Sequence, residues 1–423
     1  MLRVTFGLAM LGLVGAGPAI AQDASMIVQQ AVANGDFGGG IEDLQPLAET
    51  ENAAQFGLGA LMAGNALQEF SRGLVRHGAT VPPTDVFAMM IEGGAEGSEG
   101  PQEPAEPIDY QKFRALLQDL VDDLDEARSV LVDAGGGEEF VVPVDVFSIH
   151  FDLDGDGTAD ADASLGGLFE GGLASTGGTM AGADAKTMEK LGETAELVVG
   201  FDRADAYWLA GYTQVVAAHA DWLLAHDFEQ LFNVYFHRVF PQAGLPMTEH
   251  SGVGTLFGGP QSDALIADMV AAVHSFNFAV TDRERLAGVL ERLKSVTAFS
   301  RQNWDAILAE TDDDRELVPS PTQTPLAGGP AVTEEVVAAW MDTLDTIDRL
   351  LAGDLLLPHW RFARGIDITA YFETATHTDL VMLITGYDAL AYLADGPIAS
   401  AEDFQSGNEV FGDDFPLFAL WFN

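Results

Sequence analysis

The chain has 423 residues, of which 66 are Asp or Glu and 19 are Lys or Arg, a formal net charge of −47 at pH 7. So strong an anionic field excludes nucleic acid as a partner and disfavours anionic membrane surfaces. Cysteine is absent, which rules out disulfides, thiolate metal sites and cysteine nucleophiles, while 48% apolar residues suffice for a sizeable core.

Residues 1–21 combine Arg3, an apolar run from Val4 to Val14 and the small-residue sequence Ala19-Ile20-Ala21. This pattern predicts a secretory signal peptide removed near Ala21, and hence a periplasmic or secreted protein. No later stretch offers ~18 consecutive apolar residues, so no stable membrane insertion is expected.

Residues 22–91 read as an N-terminal helical region rich in small side chains. With Gly35-Asp36-Phe37 at a turn and Gln55, Phe56, Leu58 and Gly59 opening the next helix, it resembles a degenerate tetratricopeptide hairpin. Such a single hairpin is more often plain packing than a peptide-binding array. Residues 92–107 are a Gly, Pro and Glu loop with little to bury. In 108–138, Phe113, Leu116, Leu117, Leu120, Leu124, Ala127 and Leu131 recur at helical spacing until Gly135-Gly136-Gly137.

Residues 139–185 carry a strand, a loop and a glycine-rich segment. Phe140 to Phe151 alternates and is β-branched, interrupted by Pro143. FDLDGDGTADAD follows, Phe151 to Asp162. Calcium takes about 6 to 8 oxygen ligands, and carboxylates at alternate positions followed by a turn glycine wrap such an ion. Asp152, Asp154 and Asp156 meet that pattern with Gly157 at the turn, and the carbonyl of Thr158 and the side chain of Asp160 complete the predicted set for one Ca²⁺. Ala163 stands where an EF-hand carries its bidentate Glu, so a helix-loop-helix is not expected. The run Asp152, Asp154, Gly155, Asp156, Gly157, Asp160 resembles the D-x-[DN]-G-D-G-x-x-D loops of FG-GAP and VCBS-type β domains. That resemblance implies calcium, but the single copy does not imply a propeller. An ordinary Asp/Gly turn is the plainer reading.

Residues 186–316 return to helices, among them 281–297, opened by the apparent capping box Thr281-Asp282-Arg283-Glu284. His219, His226 and His237 would share a face of one continuous helix, yet positions seven apart lie about 10 Å apart along the axis, too far for one zinc. His226-Asp227 matches the dipeptide of HD-type phosphohydrolases, a two-residue signal outweighed by capping or packing. Tyr207, Trp208, Tyr212 and Trp222 are read as core before sugar-stacking platforms. Glu310 to Glu316 sets five carboxylates around Arg315 at a helix C-terminus, where acid opposes the dipole. A second cation would explain it, but a pairing network through Arg315 or a solvated turn is favoured.

Residues 317–330 form a proline-rich connector. In 331–423, Thr333 is expected to cap a helix closed by Gly353, Asp379 to Thr385 reads as strand-like, and the apolar tail FPLFALWFN is expected in the core. FDRADAYWLAGY, AETDDDRE, PHWRF and the closing WFN resemble an exported family of Gram-negative bacteria, which implies export and no particular activity. No nucleophile elbow, phosphate loop, dinucleotide fingerprint or HExxH occurs.

The expectation is a mainly α, multi-helix globular protein, with the 331–423 region packed on the same core and a short β/loop insertion carrying the calcium loop. Three functions fit. The first is an exported calcium-binding protein whose ion is structural. The others are an α/α-barrel carbohydrate-active enzyme with paired carboxylates, none of which is identifiable, and a helical adaptor for another envelope protein. An envelope protein or a glycan is the partner these readings allow. An enzyme requires a pocket with convergent, perturbed carboxylates, an adaptor an exposed apolar groove.

Overall fold

The computed structural model describes residues 17–80, 105–159, 163–164, 197–247, 260–313, 315–325 and 332–412. It is mainly α, with short antiparallel strand pairs. No helix among the described residues is long and apolar enough to cross a membrane.

Aspartates start many of the helices, which is one place where the acidic composition is used. A carboxylate at an N-cap accepts an otherwise unpaired backbone N–H and sits at the positive end of the helix dipole. Asp36 caps α2 (Phe37–Ala48) through Gly39 N, and Asp109 caps α4 (Tyr110–Gly135) through Lys112 N. Between them lies α3 (Asn52–Arg76), and ahead of them α1 (Gly17–Asn34). Asp202 and Asp205 form a reciprocal capping box on α5 (Arg203–Ala225). The helix predicted over 281–297 is longer, α8 (Arg283–Ala309), and its cap is Asp282 rather than Thr281. The Thr281 hydroxyl bonds the Ala225 carbonyl instead. Thr333 caps α9 (Glu334–Leu351) as its sequence implies, and Gly353 follows with a φ of 76°.

The principal helix contacts run α2, α3, α4, α5, α8, α9 in an open row. One core joins α3, α4 and α5 to α6 (Glu229–Tyr235) through Phe113, Phe228, Phe232, Phe236 and Phe240. Each of these rings is essentially out of solvent, a burial of about 1.5–3 kcal/mol per side chain. Five of the seven predicted α4 positions, Phe113, Leu116, Leu117, Leu120 and Leu124, pack into or against this core. A second core collects α1 to α3, Leu131 and β1 (Val142–Asp145). The tetratricopeptide-like hairpin is therefore packed: Phe56 is buried, and a Cβ on Gly57 or Gly59 would meet Val28 or Leu131. Between α4, α5 and α8, Arg292 bonds Asp125 and Asp221 at 2.6 Å each, with Arg285 also on Asp221.

β1 pairs with β2 (Val198–Phe201), Val142 opposite Phe201. The strand predicted over Phe140 to Phe151 is thus shorter, turning into a 3₁₀ helix at Val146–Ser148. β3 (His226–Asp227), β4 (Asn277–Val280) and β6 (His377–Asp379) make a three-stranded sheet, and β5 (Gly365–Ile366) pairs with β7 (Leu393–Ala394). The β4–β6 pairing and α9 on α8 bring the 332–412 region onto the helical row. Asp379 to Thr385 is not a strand beyond its first residue. Asp379 caps α11 (Leu380–Thr385) through Met382 N, following α10 (Ile368–Thr374). The last described helix is α12 (Gln405–Phe411). The apolar tail from 413, the glycine-rich stretch 165–185 and most of the 92–107 loop lie outside the described residues.

α7 (Pro260–Ser275) leaves one apolar face open. Leu265, Ile266, Met269, Val270 and Val273 are all exposed, while Asp268 is buried against Arg238 and His237.

Candidate functional site

The aspartate loop begins where β1 and its 3₁₀ turn deliver Phe151 onto the α2–α3 hairpin. Phe151 stacks on Phe37, ring centroids 5.4 Å apart. Asp152 is buried, and its N–H donates to Gln68 Oε1, whose amide in turn reaches Gly35 O. Oδ1 of Asp152 accepts from Gly155 N at 2.8 Å, and Oδ2 accepts from Gly157 N at 3.0 Å and from Arg72 Nη2 at 2.6 Å. Burial alone pushes this carboxyl up, but the two loop N–H groups and the Arg72 guanidinium outweigh it and hold Asp152 below its usual range.

Asp154 and Asp156 repeat the turn. Each uses Oδ1 to accept the N–H two residues on, from Asp156 and Thr158. Gly155 and Gly157 both take positive φ, 77° and 85°, which reverses the chain around the carboxylates. One oxygen from each of Asp152, Asp154 and Asp156 lies within 4.8 Å of the others. Three hard oxygen donors converging in one turn suit calcium. Thr158 sits on the same turn, its N–H on Asp156, and Asp160 lies outside the described residues. Arg72 was not foreseen. It supplies one positive charge to the loop, so the carboxylates are not left wholly to a metal.

A second acidic cluster lies where α5 begins and α8 ends. The antiparallel packing of those helices sets Asp202 and Asp205 against Glu310 and Glu316, and one oxygen each of Asp202, Glu310 and Glu316 falls within 4.8 Å. The reading of Glu310 to Glu316 as a solvated turn or an Arg315 network is corrected here. Glu316 is buried and Glu310 half-buried, whereas Arg315 is exposed, with a φ of 72°, and forms no ion pair among those resolved between described residues. Asp312 and Asp313 stay exposed, Asp313 bonded to Thr324.

Burial and the neighbouring Asp202 push Glu310 up to about 9, so it keeps its proton at neutral pH and donates it to Asp202. Burial, with the charges of Asp202 and Glu316, likewise raises Asp205 well above its usual range. Arg203, next in sequence, turns away to Gly135 O and Glu139. Beside the pair opens a cleft of about 400 Å³ lined by Glu139, Arg203, Tyr207, Asp305, Glu310 and Asp312.

The three histidines do not share a helix. His219 is on α5, His226 follows its last residue and His237 sits in a 3₁₀ turn against Asp268. His226 is buried in a closed ring of hydrogen bonds. Its Nδ1 lies 2.6 Å from the Trp222 carbonyl, which only accepts, so Nδ1 carries the hydrogen and Nε2 accepts. Thr378 then donates to Nε2, Tyr371 donates to Thr378, and Trp222 Nε1 donates to Tyr371. Burial lowers the pKa of His226, consistent with this neutral form.

Comparison with known protein families, with characterised proteins and with solved structures finds no match.

Proposed function

We propose that this chain is an exported calcium-binding protein whose single ion, held by Asp152, Asp154, Asp156, the Thr158 carbonyl and Asp160, is structural. One observation carries the reading: three alternate carboxylates converge within 4.8 Å on a turn made by two left-handed glycines. The loop is tied to α3 through Arg72 and Gln68 and to the α1–α2 turn through Gly35. An ion there clamps the short β/loop insertion to the helical row, which is a stabilising role with no evident reactive position.

The test is thermal unfolding with calcium and with chelator, for the native sequence and for an Asp154→Ala, Asp156→Ala double variant. An ion at a hundred times its dissociation constant adds about 2.7 kcal/mol to the native state alone. A calcium-dependent rise absent from the double variant supports the site. No rise at concentrations up to about 1 mM overturns it.

A second reading is favoured by the cleft beside Glu310. A carboxyl that keeps its proton at neutral pH is what a general acid requires, and Asp305 and Asp312 line the same cleft. Glu310 and Asp202 are themselves hydrogen-bonded, closer than the roughly 5–9.5 Å between the paired carboxyls of glycosidases, so a carbohydrate-active version needs its second carboxylate from the cleft wall. Release of reducing sugar from glycans by the native chain, abolished in Glu310→Gln, supports this reading, and no release from any glycan tested counts against it. The adaptor reading draws support from the open face of α7 rather than from the packed N-terminal hairpin.

A further inference from the structure

The most exposed large apolar side chains among the described residues are Trp360, Ile384 and Tyr387, at 72%, 70% and 68%. They share one face. The loop 357–364, which leads into β5, closes on the turn after α11. Arg361 N donates to His359 Nδ1, so Nε2 carries the ring hydrogen and donates it to Ile384 O at 3.1 Å. Gly386 ends α11 with a φ of 107°, and a Cβ there would stand within 3.1 Å of Arg361, His359 and Phe362, so the loop is seated against bare backbone. The His359 ring stacks on both Trp360 and Phe362, with centroids 5.5 and 4.9 Å apart, and the Arg361 guanidinium lies 4.2 Å from the indole centroid. Trp360 is therefore exposed yet held in a fixed orientation.

The charge of this face departs from that of the chain. Asp and Glu make up 66 of 423 residues, but 355–366 and 380–387, the two stretches that meet here, contain none. The carboxylates that flank the second stretch are engaged: Asp379 caps α11 through Met382 N, and Asp388, its side chain 17% exposed, stands 3.2 Å from His377 Nε2. The first stretch carries two cations. Arg364 pairs with Asp395, whereas Arg361 rests on an indole instead of a carboxylate.

We infer that this face docks on a zwitterionic phospholipid surface, with Trp360, Ile384 and Tyr387 entering the headgroup region and Arg361 meeting a lipid phosphate. Trp and Tyr favour that level of a bilayer because each joins an apolar ring to a polar hydrogen, and a guanidinium matches a phosphate. The three tips project from a loop, a helix end and a turn, and line no groove that a partner helix or strand would fill. A fluid medium that closes around separate tips suits them better. A second copy of the chain would bring another charge of −47 to the contact. Lipid without net charge brings none, and at about 0.1 M salt the field of the more distant carboxylates is screened within about 10 Å. Docking is peripheral, since no helix among the described residues is long and apolar enough to cross a membrane.

The experiment is co-flotation of the full chain with vesicles of phosphatidylcholine and phosphatidylethanolamine. Binding is expected with a partition constant on the order of 10³–10⁴ M⁻¹, at or below that of a single acyl anchor. A Trp360→Ser, Ile384→Ser double variant, altered only at exposed positions, is expected to melt as the native chain does and to bind about tenfold or more weakly. Brominated phosphatidylcholine reports the contact directly. It is expected to quench tryptophan fluorescence of the native chain, in which Trp304 and Trp340 are buried, and to lose that quenching in a Trp360→Phe variant that still floats. The proposal is overturned by no flotation of the native chain at about 5 mM lipid, by a double variant that floats equally well, or by quenching that persists in Trp360→Phe. A native dimer that the double variant breaks, with no flotation of the native chain, assigns the face to a second copy and overturns the proposal as well.

Discussion

Arg72 Nη2 lies 2.6 Å from Asp152 Oδ2 and Arg72 Nε 2.8 Å from the Asp152 carbonyl, so the first aspartate of the loop is clasped by α3 through both its side chain and its main chain. A guanidinium and a bound cation compete for the same carboxylate charge. In Arg72→Leu the buried Asp152 loses its counter-charge, and breaking one side of a buried ion pair costs about 3–5 kcal/mol. The expected outcome is a marked fall in melting temperature in chelator, and a calcium-induced rise larger than in the native chain. Melting curves with and without calcium decide it. An equal or smaller rise in the variant means that Arg72 and the ion do not share Asp152.

The carboxylates at the α5–α8 junction give a pH dependence of opposite sign to that of Asp152. Glu310 is raised in the fold from an ordinary value of 4.5 to about 9, so the folded chain holds a proton that the unfolded chain releases. Where the native state binds more protons, stability falls as pH rises. In the absence of added metal, stability from this group is complete below about 4.5 and is lost progressively up to about 9. Glu310→Gln keeps the shape without the titration. Urea unfolding at several pH values between those limits should show a shallower decline in Glu310→Gln. Parallel profiles for the two proteins would show that Glu310 titrates normally.

How much of this was legible in the sequence depended on how local each feature is. The aspartate loop was visible because its ligands are consecutive neighbours, and α4 because its apolar positions repeat along one helix. Leu380 to Thr385 reads as strand-like because a short apolar run has the same composition in either state, and only Asp379 bonding Met382 N marks it as a capped helix. Glu316 looked solvated because charge ordinarily is. Its burial against Asp205 depends on a helix more than a hundred residues earlier. Arg72 and Asp152 are 80 positions apart, with nothing in either neighbourhood that names the other. The signal available for the acidic cluster was the Asp202–Asp205 capping pair, which places two carboxylates at the first turn of α5.

Gly35 tests the seat of the loop from the other side. Its φ is 66°, and a Cβ there would stand 3.0 Å from Asp152 N and 3.3 Å from the Phe151 carbonyl carbon. Left-handed backbone at a residue with a side chain costs about 1–2 kcal/mol, before the close approach is relieved. Gly35→Ala is therefore expected to lower the urea midpoint, and to weaken calcium stabilisation if the loop shifts. Gly38→Ala is the control. It sits within α2 with nothing inside 4 Å of its Cβ, so the change raises stability by roughly 0.5–1 kcal/mol. Two variants moving in the same direction would contradict this account.

In the His226 ring the Trp222 carbonyl, which can only accept, sets the donor direction of every other bond. Thr378 is the single link between His226 Nε2 and the Tyr371 hydroxyl. Thr378→Val preserves shape but leaves a buried acceptor and a buried donor unpaired, at about 1–3 kcal/mol for each group so stranded. Thr378→Ser keeps the hydroxyl and should cost much less. Because burial depresses the His226 pKa, the folded state favours the neutral ring, so its contribution is complete above the ordinary value of 6.5 and is lost as pH falls toward the folded value. Nitrogen NMR of the imidazole should report hydrogen on Nδ1 and none on Nε2 at neutral pH. A hydrogen on Nε2, or equal losses in the Val and Ser variants, would reverse the donor assignments around the whole ring.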